Sequence, residues 1–303
     1  MTIDTRPSTA RIWLLAIRPA TLPAAVSGVL VGLGAALGIG APFRLDTAVG
    51  CLAVALVLQI TANLSNDLSD FRRGADTPDR AGPLRVAAAG LITEGQLEIA
   101  IVVTIAIAAA IGLWLTTIGG PVLLGLGALA IVAALAYTGG PWPYGYRGLG
   151  EVFVFVFFGL VAVVGTAFLQ AGQIAPLFVA AAAPVGALTT AILVVNNLRD
   201  IPTDSAAGKR TLAVMLGRRA TVVEYRLLLA VAFLVPVALL VAGRGLPVLL
   251  PLLAVPLALP LERTVRTFSE PRQLNPVLKG TARLALVHGL LLAIGLAIGG
   301  LGA

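Results

Sequence analysis

Nine apolar runs of about 17–25 residues divide this chain, at 17–40, 48–66, 97–118, 121–138, 151–171, 174–197, 220–242, 246–262 and 280–302. In hydrocarbon, backbone N–H and C=O groups find no water, so runs of this length are read as spanning helices. The expected fold class is all-α: a polytopic membrane protein of about nine transmembrane helices, forming one domain over 1–303. Charge is correspondingly scarce, 12% of residues, about half the share in a soluble domain. The eighth run carries Pro247, Pro251, Pro256 and Pro260, tolerated where neighbouring helices take up the freed carbonyls.

The loops set orientation. With the N-terminus inside, 1–16 is a cytoplasmic tail, and 67–96, 139–150, 198–219 and 263–279 are cytoplasmic segments. Of 21 basic residues only Arg44 and Arg244 fall on the opposite side, the bias that fixes topology. The apolar run beginning near Trp13 continues too long for a cleavable signal, so the expected location is the plasma membrane. The net charge of +7 belongs to these loops and not to a nucleic-acid surface. Of 14 acidic residues only Asp46 lies outside; the positive-inside rule does not ask for that, so acid gathered on one face marks a function there. Spans 3, 5 and 9 carry no central acid or base, as an ion-coupled carrier often would. The lone Cys51 excludes an intrachain disulfide and reads as a small core residue.

Two stretches hold most of the chemistry, Asn63–Arg85 and Asn196–Arg210. Asn66-x3-Asp70-x3-Gly74 has the same spacing as Asp200-x3-Asp204-x3-Gly208, 134 residues later, a weak internal repeat that divides the chain into two parallel halves. The i,i+4 spacing stacks Asn63 with Asp67, Asn66 with Asp70, and Asn196 with Asp200. Pro202 is expected to end its helix near Ile201, leaving Asp204 on a loop. Clustered carboxylates repel one another unless cations are present, and Mg²⁺ suits one or two carboxylates, waters and substrate phosphates. Asp67, Asp70, Asp76, Asp200 and Asp204 are the candidate ligands, with Asn63, Asn66, Asn196 and Asn197 beside them. Arg80, Arg85, Lys209 and Arg210 are placed to hold phosphate oxygens. The alternative is that these acids are solvated loop ion pairs, a reading that two matched motifs on one face disfavour. Asp79, Glu94 and Glu98 fall outside the pattern.

NDLSD followed by GAD, and NNLRDIPTD followed by AGKRTLAV, resemble the two aspartate-rich motifs of the UbiA superfamily of intramembrane aromatic prenyltransferases. DTPDRAGPLRV, YTGGPWPYGYRGLGEVFVFVFFG, LNPVLKGTARLALVHG and the opening IRPATLPAAVSGVLVG are similar to its 1,4-dihydroxy-2-naphthoate branch. The likeness covers nearly the whole chain. It implies helices around a central cavity with a lateral opening for a lipid tail, and Mg²⁺-dependent transfer of a polyprenyl group from its diphosphate to 1,4-dihydroxy-2-naphthoate, with decarboxylation, to form demethylmenaquinone. The superfamily usually places a third aspartate where this chain has Gly74, and Asp76 stands two residues on. Other acceptors of the superfamily (4-hydroxybenzoate, homogentisate, a phosphoribosyl sugar) and a non-catalytic metal-binding carrier remain alternatives. Prenyl length and oligomeric state are not legible.

Between the fourth and fifth runs, Tyr137, Trp142, Tyr144 and Tyr146 gather in a chain with 6% aromatic residues. They suit an interfacial belt or a wall for a flat acceptor and an allylic cation; Tyr137 is the preferred catalytic candidate, with Arg147 reaching for phosphate or an acceptor carboxylate. Glu151 either orients an acceptor hydroxyl or accepts its proton, or else stabilises its helix N-terminus. Arg18 reads as a snorkelling anchor in preference to a substrate contact, His288 as a packed core histidine, and Arg72 and Arg73 as positive-inside charge. Gly28, Gly32 and Gly125 read as close-packing positions.

Overall fold

The computed structural model describes residues 7–76 and 81–300, and among them the chain is helical without strands. Helix α1 (Thr9–Ile17) stops where Arg18 adopts a left-handed conformation, φ 55°, and after a 3-10 turn at Pro19–Thr21 the chain continues as α2 (Leu22–Leu37). Next come α3 (Leu45–Arg72), α4 (Glu94–Gly119) and α5 (Val122–Ala136). The fifth run is composite: α6 (Gly150–Val154), a π-helical stretch Phe155–Val161, and α7 (Ala162–Ala171). Helices α8 (Pro176–Ala206) and α9 (Leu212–Val241) follow. The proline-rich run is a 3-10 segment, Leu246–Ala254, leading into α10 (Val255–Thr267), and α11 (Leu274–Gly300) closes the bundle.

Each of the nine expected runs lies on a helix. Among the described residues eight spans are long and apolar enough to cross a membrane, whereas α5, at 15 residues, is shorter; it reaches about 22 Å, less than a hydrocarbon core of about 30 Å. The chain is a multi-pass membrane protein. Helix α8 is its axis: 78% of its most apolar window is buried, against 17% for α4, and it packs against α2, α7, α9 and α11. Outward-facing Ile99, Val102 and Leu113 of α4 are exposed, as a lipid-facing surface requires. Helix α2 packs against α7 by close approach. A Cβ on Gly32 would lie 2.6 Å from the Val163 carbonyl oxygen, so only glycine fits. Gly28 is likewise closed off, but a Cβ on Gly125 meets nothing within 4 Å, so that glycine is not a packing position.

Pro202 does not end α8, which runs on to Ala206 and keeps Asp204 helical. The stop is Gly208, at φ 70°, with the Lys209 N–H donating to the Asp204 carbonyl at 2.8 Å. Helix α3 ends the same way: Gly74 has φ 66° and the Ala75 N–H donates to the Asp70 carbonyl at 3.0 Å. The repeated Asp-x3-Gly spacing is thus the last helical turn plus its left-handed cap.

Candidate active site

A cavity of about 360 Å³ opens between these two helix ends. It extends along α3 from Cys51 to Asp70, about 28 Å of helix rise. Its lower walls are apolar, including Val54, Leu58, Leu115 and Leu126, while Arg18, Asn63, Asn66, Asp70, Arg85, Asn196 and Lys209 gather at one end. On α3 the polar lining is Gln59, Asn63, Asn66 and Asp70, one face of a helix by spacing. Asn63 also ties α3 to the N-terminal segment, donating to the Ile17 carbonyl at 2.8 Å and to the Thr21 hydroxyl at 3.0 Å. Asn66 accepts from the Thr138 hydroxyl at 3.1 Å.

Every candidate acid is held by a base. Arg18 meets Asp67 at 3.4 Å; Arg85 meets Asp70 at 3.2 Å and Asp76 at 3.4 Å; Arg199 meets Asp200 at 2.7 Å; Lys209 stands 3.7 Å from Asp204. Arg18 is therefore turned inward, not a snorkelling anchor. Asp67 is further occupied: the N–H groups of Val86 and Ala87 donate to its two oxygens at 3.3 and 3.0 Å, so it organises the loop that carries Arg85. Asp70 faces the cavity, and its other oxygen accepts from the Tyr146 hydroxyl at 3.0 Å. Burial first, and then the Asp70 charge, push the Tyr146 phenol well above its usual range, which keeps it a donor. Arg85 is buried, and its Nη1 has no hydrogen-bond partner among the described residues. Among those residues no three acidic, histidine or cysteine side chains converge to hold one ion; each acid is turned to its base instead.

Aromatic rings form one wall. Tyr137 meets Tyr144 edge-on at 5.4 Å, and Tyr144 stacks on Phe153 at 3.9 Å. Tyr137, Tyr144, Phe153, Phe157 and Phe158 all line the cavity. The phenylalanines escaped the sequence reading, although the run EVFVFVFFG carries them; the π-helical stretch that sets their register has no sequence signature. Behind this wall Glu151 and Asn197 are buried together, the Asn197 amide donating to Glu151 Oε1 at 2.8 Å.

Two expected contacts lie elsewhere. Arg147, over the Trp142 ring at 5.2 Å, and Arg210 line a separate groove beyond Tyr146. They are exposed loop cations, and Tyr146 stands between them and Asp70. Arg80 lies outside the described residues. Arg72 pairs with Glu94 and Glu98 at the surface, whereas Arg73 holds the carbonyls of Thr138 and Gly140. His288 is packed in the core, 2.9 Å from the Ala232 carbonyl.

A sequence profile of the UbiA prenyltransferase family matches residues 25–287. The chain belongs to this family. It is similar to the 1,4-dihydroxy-2-naphthoate octaprenyltransferase of Mycobacterium tuberculosis, 44% identical with 95% of this chain and 97% of that one aligned. It is also similar to the enzyme of the same name from Escherichia coli, 39% identical over 95% and 96% of the two chains. A UbiA homolog from Archaeoglobus fulgidus, solved bound to DMAPP and Mg²⁺, superposes with a TM-score of 0.64 at 16% identity, covering 94% of this chain and 98% of its own. That likeness establishes the UbiA fold.

Proposed function

We propose that this UbiA-family protein transfers a polyprenyl group from its diphosphate to 1,4-dihydroxy-2-naphthoate, with loss of diphosphate and carbon dioxide, to form demethylmenaquinone. The observation that carries the reading is the long apolar cavity that ends at Asp70, Arg18, Arg85 and Lys209 with an aromatic wall, the other motif acids being paired to bases around that end. The names of the two bacterial relatives support the acceptor.

The donor set at the mouth is oxygen only: carboxylates and amides. It fits Mg²⁺, which takes one or two carboxylates per ion and leaves other positions to water and phosphate. Asp70 and Asp76 of one motif and Asp200 and Asp204 of the other would supply one or two carboxylates to each ion, with Asp67 fixing the loop beside them. Bound there, Mg²⁺ supplies Lewis-acid neutralisation of the diphosphate. Arg85 through Nη1, Lys209 and Arg18 take phosphate oxygens, and preorganised cations favour the charge that develops as diphosphate leaves. The rings of Tyr137, Tyr144 and Phe153 face the allylic cation. The apolar walls keep water from quenching it. Glu151, held by Asn197, does not line the cavity and braces the aromatic wall from behind. The Lys/Arg bias of the loops supports a mouth on the cytoplasmic face of the plasma membrane, with the N-terminus inside.

Membranes containing the protein, Mg²⁺ and labelled polyprenyl diphosphate, offered each aromatic acceptor in turn, test the proposal. A labelled lipid with dihydroxynaphthoate alone is expected. A product with 4-hydroxybenzoate instead, or none with any acceptor, overturns it.

A further inference from the structure

Arg199 is 1% exposed, and its guanidinium is spent entirely within the protein. Nε and Nη2 donate to the two oxygens of Asp200 at 2.7 Å each, Nη2 also to Asn196 Oδ1 at 2.7 Å, and Nη1 to Asn275 Oδ1 at 3.1 Å. Asn275, in the first turn of α11, passes the link on: its amide donates to the Ala81 carbonyl at 2.9 Å. Ala81 opens the segment that leads to Arg85, which grips Asp70 and Asp76, and to Val86 and Ala87, which donate to Asp67. A continuous polar strap therefore runs from the second aspartate motif through α11 to the loop of the first. A planar fork serving four acceptor oxygens on three residues has no substitute in a lysine.

We infer that Arg199 and Asn275 are positioning residues that set the separation of the two aspartate motifs, so that both engage one metal–diphosphate group. The inference rests on the proposed metal–diphosphate site. Neither residue lines the cavity; Asn275 acts by bracing the Ala81 segment against Arg199.

The test uses the full-length protein in detergent, with Asn275→Ala as the principal variant because it leaves the Arg199–Asp200 pair intact. Mn²⁺ binding in the presence of inorganic diphosphate, read by electron paramagnetic resonance, is expected to weaken about tenfold. The KM for Mg²⁺ rises in parallel, while the KM for the aromatic acceptor and the turnover at saturating metal stay within about threefold. Arg199→Lys is expected to show the same split more strongly. Unchanged Mn²⁺ binding in Asn275→Ala, or an equal loss across metal, acceptor and melting temperature, overturns the strap. Should the wild type transfer no prenyl group while Asn275→Ala still weakens Mn²⁺–diphosphate binding, the strap stands and the proposed reaction falls.

Discussion

Asp67 and Asp70 sit one helical turn apart, yet their surroundings assign them different work, and paired Asn substitutions separate the two. Asp70→Asn keeps an oxygen for the Tyr146 hydroxyl, and Arg85 keeps Asp76 at 3.4 Å. Little stability is lost, about 1 kcal/mol for a weakened charged hydrogen bond. The charge facing the cavity disappears, however, and turnover should fall roughly 10²–10³-fold, the scale for losing one transition-state electrostatic contact. Asp67→Asn offers one oxygen where two backbone N–H groups now donate. A buried N–H is stranded and Arg18 loses its carboxylate, together costing about 2–5 kcal/mol. The Arg85 loop should loosen. Melting in detergent and proteolytic nicking across 81–92 are measured beside prenyl transfer. Asp70→Asn should melt near the wild type and be nearly inactive; Asp67→Asn should melt lower, be nicked faster, and lose activity as the loop opens. An Asp67→Asn protein that melts and resists protease like the wild type yet is as inactive as Asp70→Asn would refute the reasoning and make Asp67 a direct ligand.

Other consequences follow from the same geometry. Because every motif acid already has a basic partner, Mg²⁺ alone should bind at least tenfold more weakly than Mg²⁺ with a non-hydrolysable prenyl diphosphate; equal affinities by calorimetry would contradict this. Tyr146→Phe removes the donor to Asp70 but keeps the ring beneath Lys209 at 5.3 Å, so turnover should drop about tenfold, as for losing a hydrogen bond to a charged group. The raised Tyr146 phenol is protonated below its usual value of 10. Its contribution to stability is therefore full below that pH and lost as pH climbs through the raised value, with no titration from this group in a profile over pH 6–9. Gly208→Ala at φ 70° should cost about 1–2 kcal/mol of melting stability, and Gly208→Asn less, since asparagine tolerates this cap.

The spans were legible because hydrocarbon admits so few backbone solutions, and the aspartate motifs because charge beside apolar runs demands a use. What escaped notice was tertiary pairing. Nothing local in NNLRD says that Arg199 will be buried against Asn275, 76 residues on, or that Arg18 will turn inward to Asp67 across 49 residues. Pro202 misled because a proline near a helix end looks like a stop, whereas the left-handed Gly208 decides where the last turn closes. Arg147 and Arg210 share the loops of true mouth residues, and only the placement of Tyr146 separates them from the cavity.

The matched ends of α3 and α8 carry one more implication. Each helix presents its C-terminal carbonyls at the mouth, the negative pole of its peptide dipoles, worth about half an elementary charge apiece before local capping. Carboxylates on such a pole repel it, a tension relieved when a dication arrives. The same poles oppose a bare diphosphate trianion, so Arg18, Arg85 and Lys209 at the mouth offset the helix ends as well as the carboxylates, and the prenyl donor complexed with its cation is the form the two poles favour.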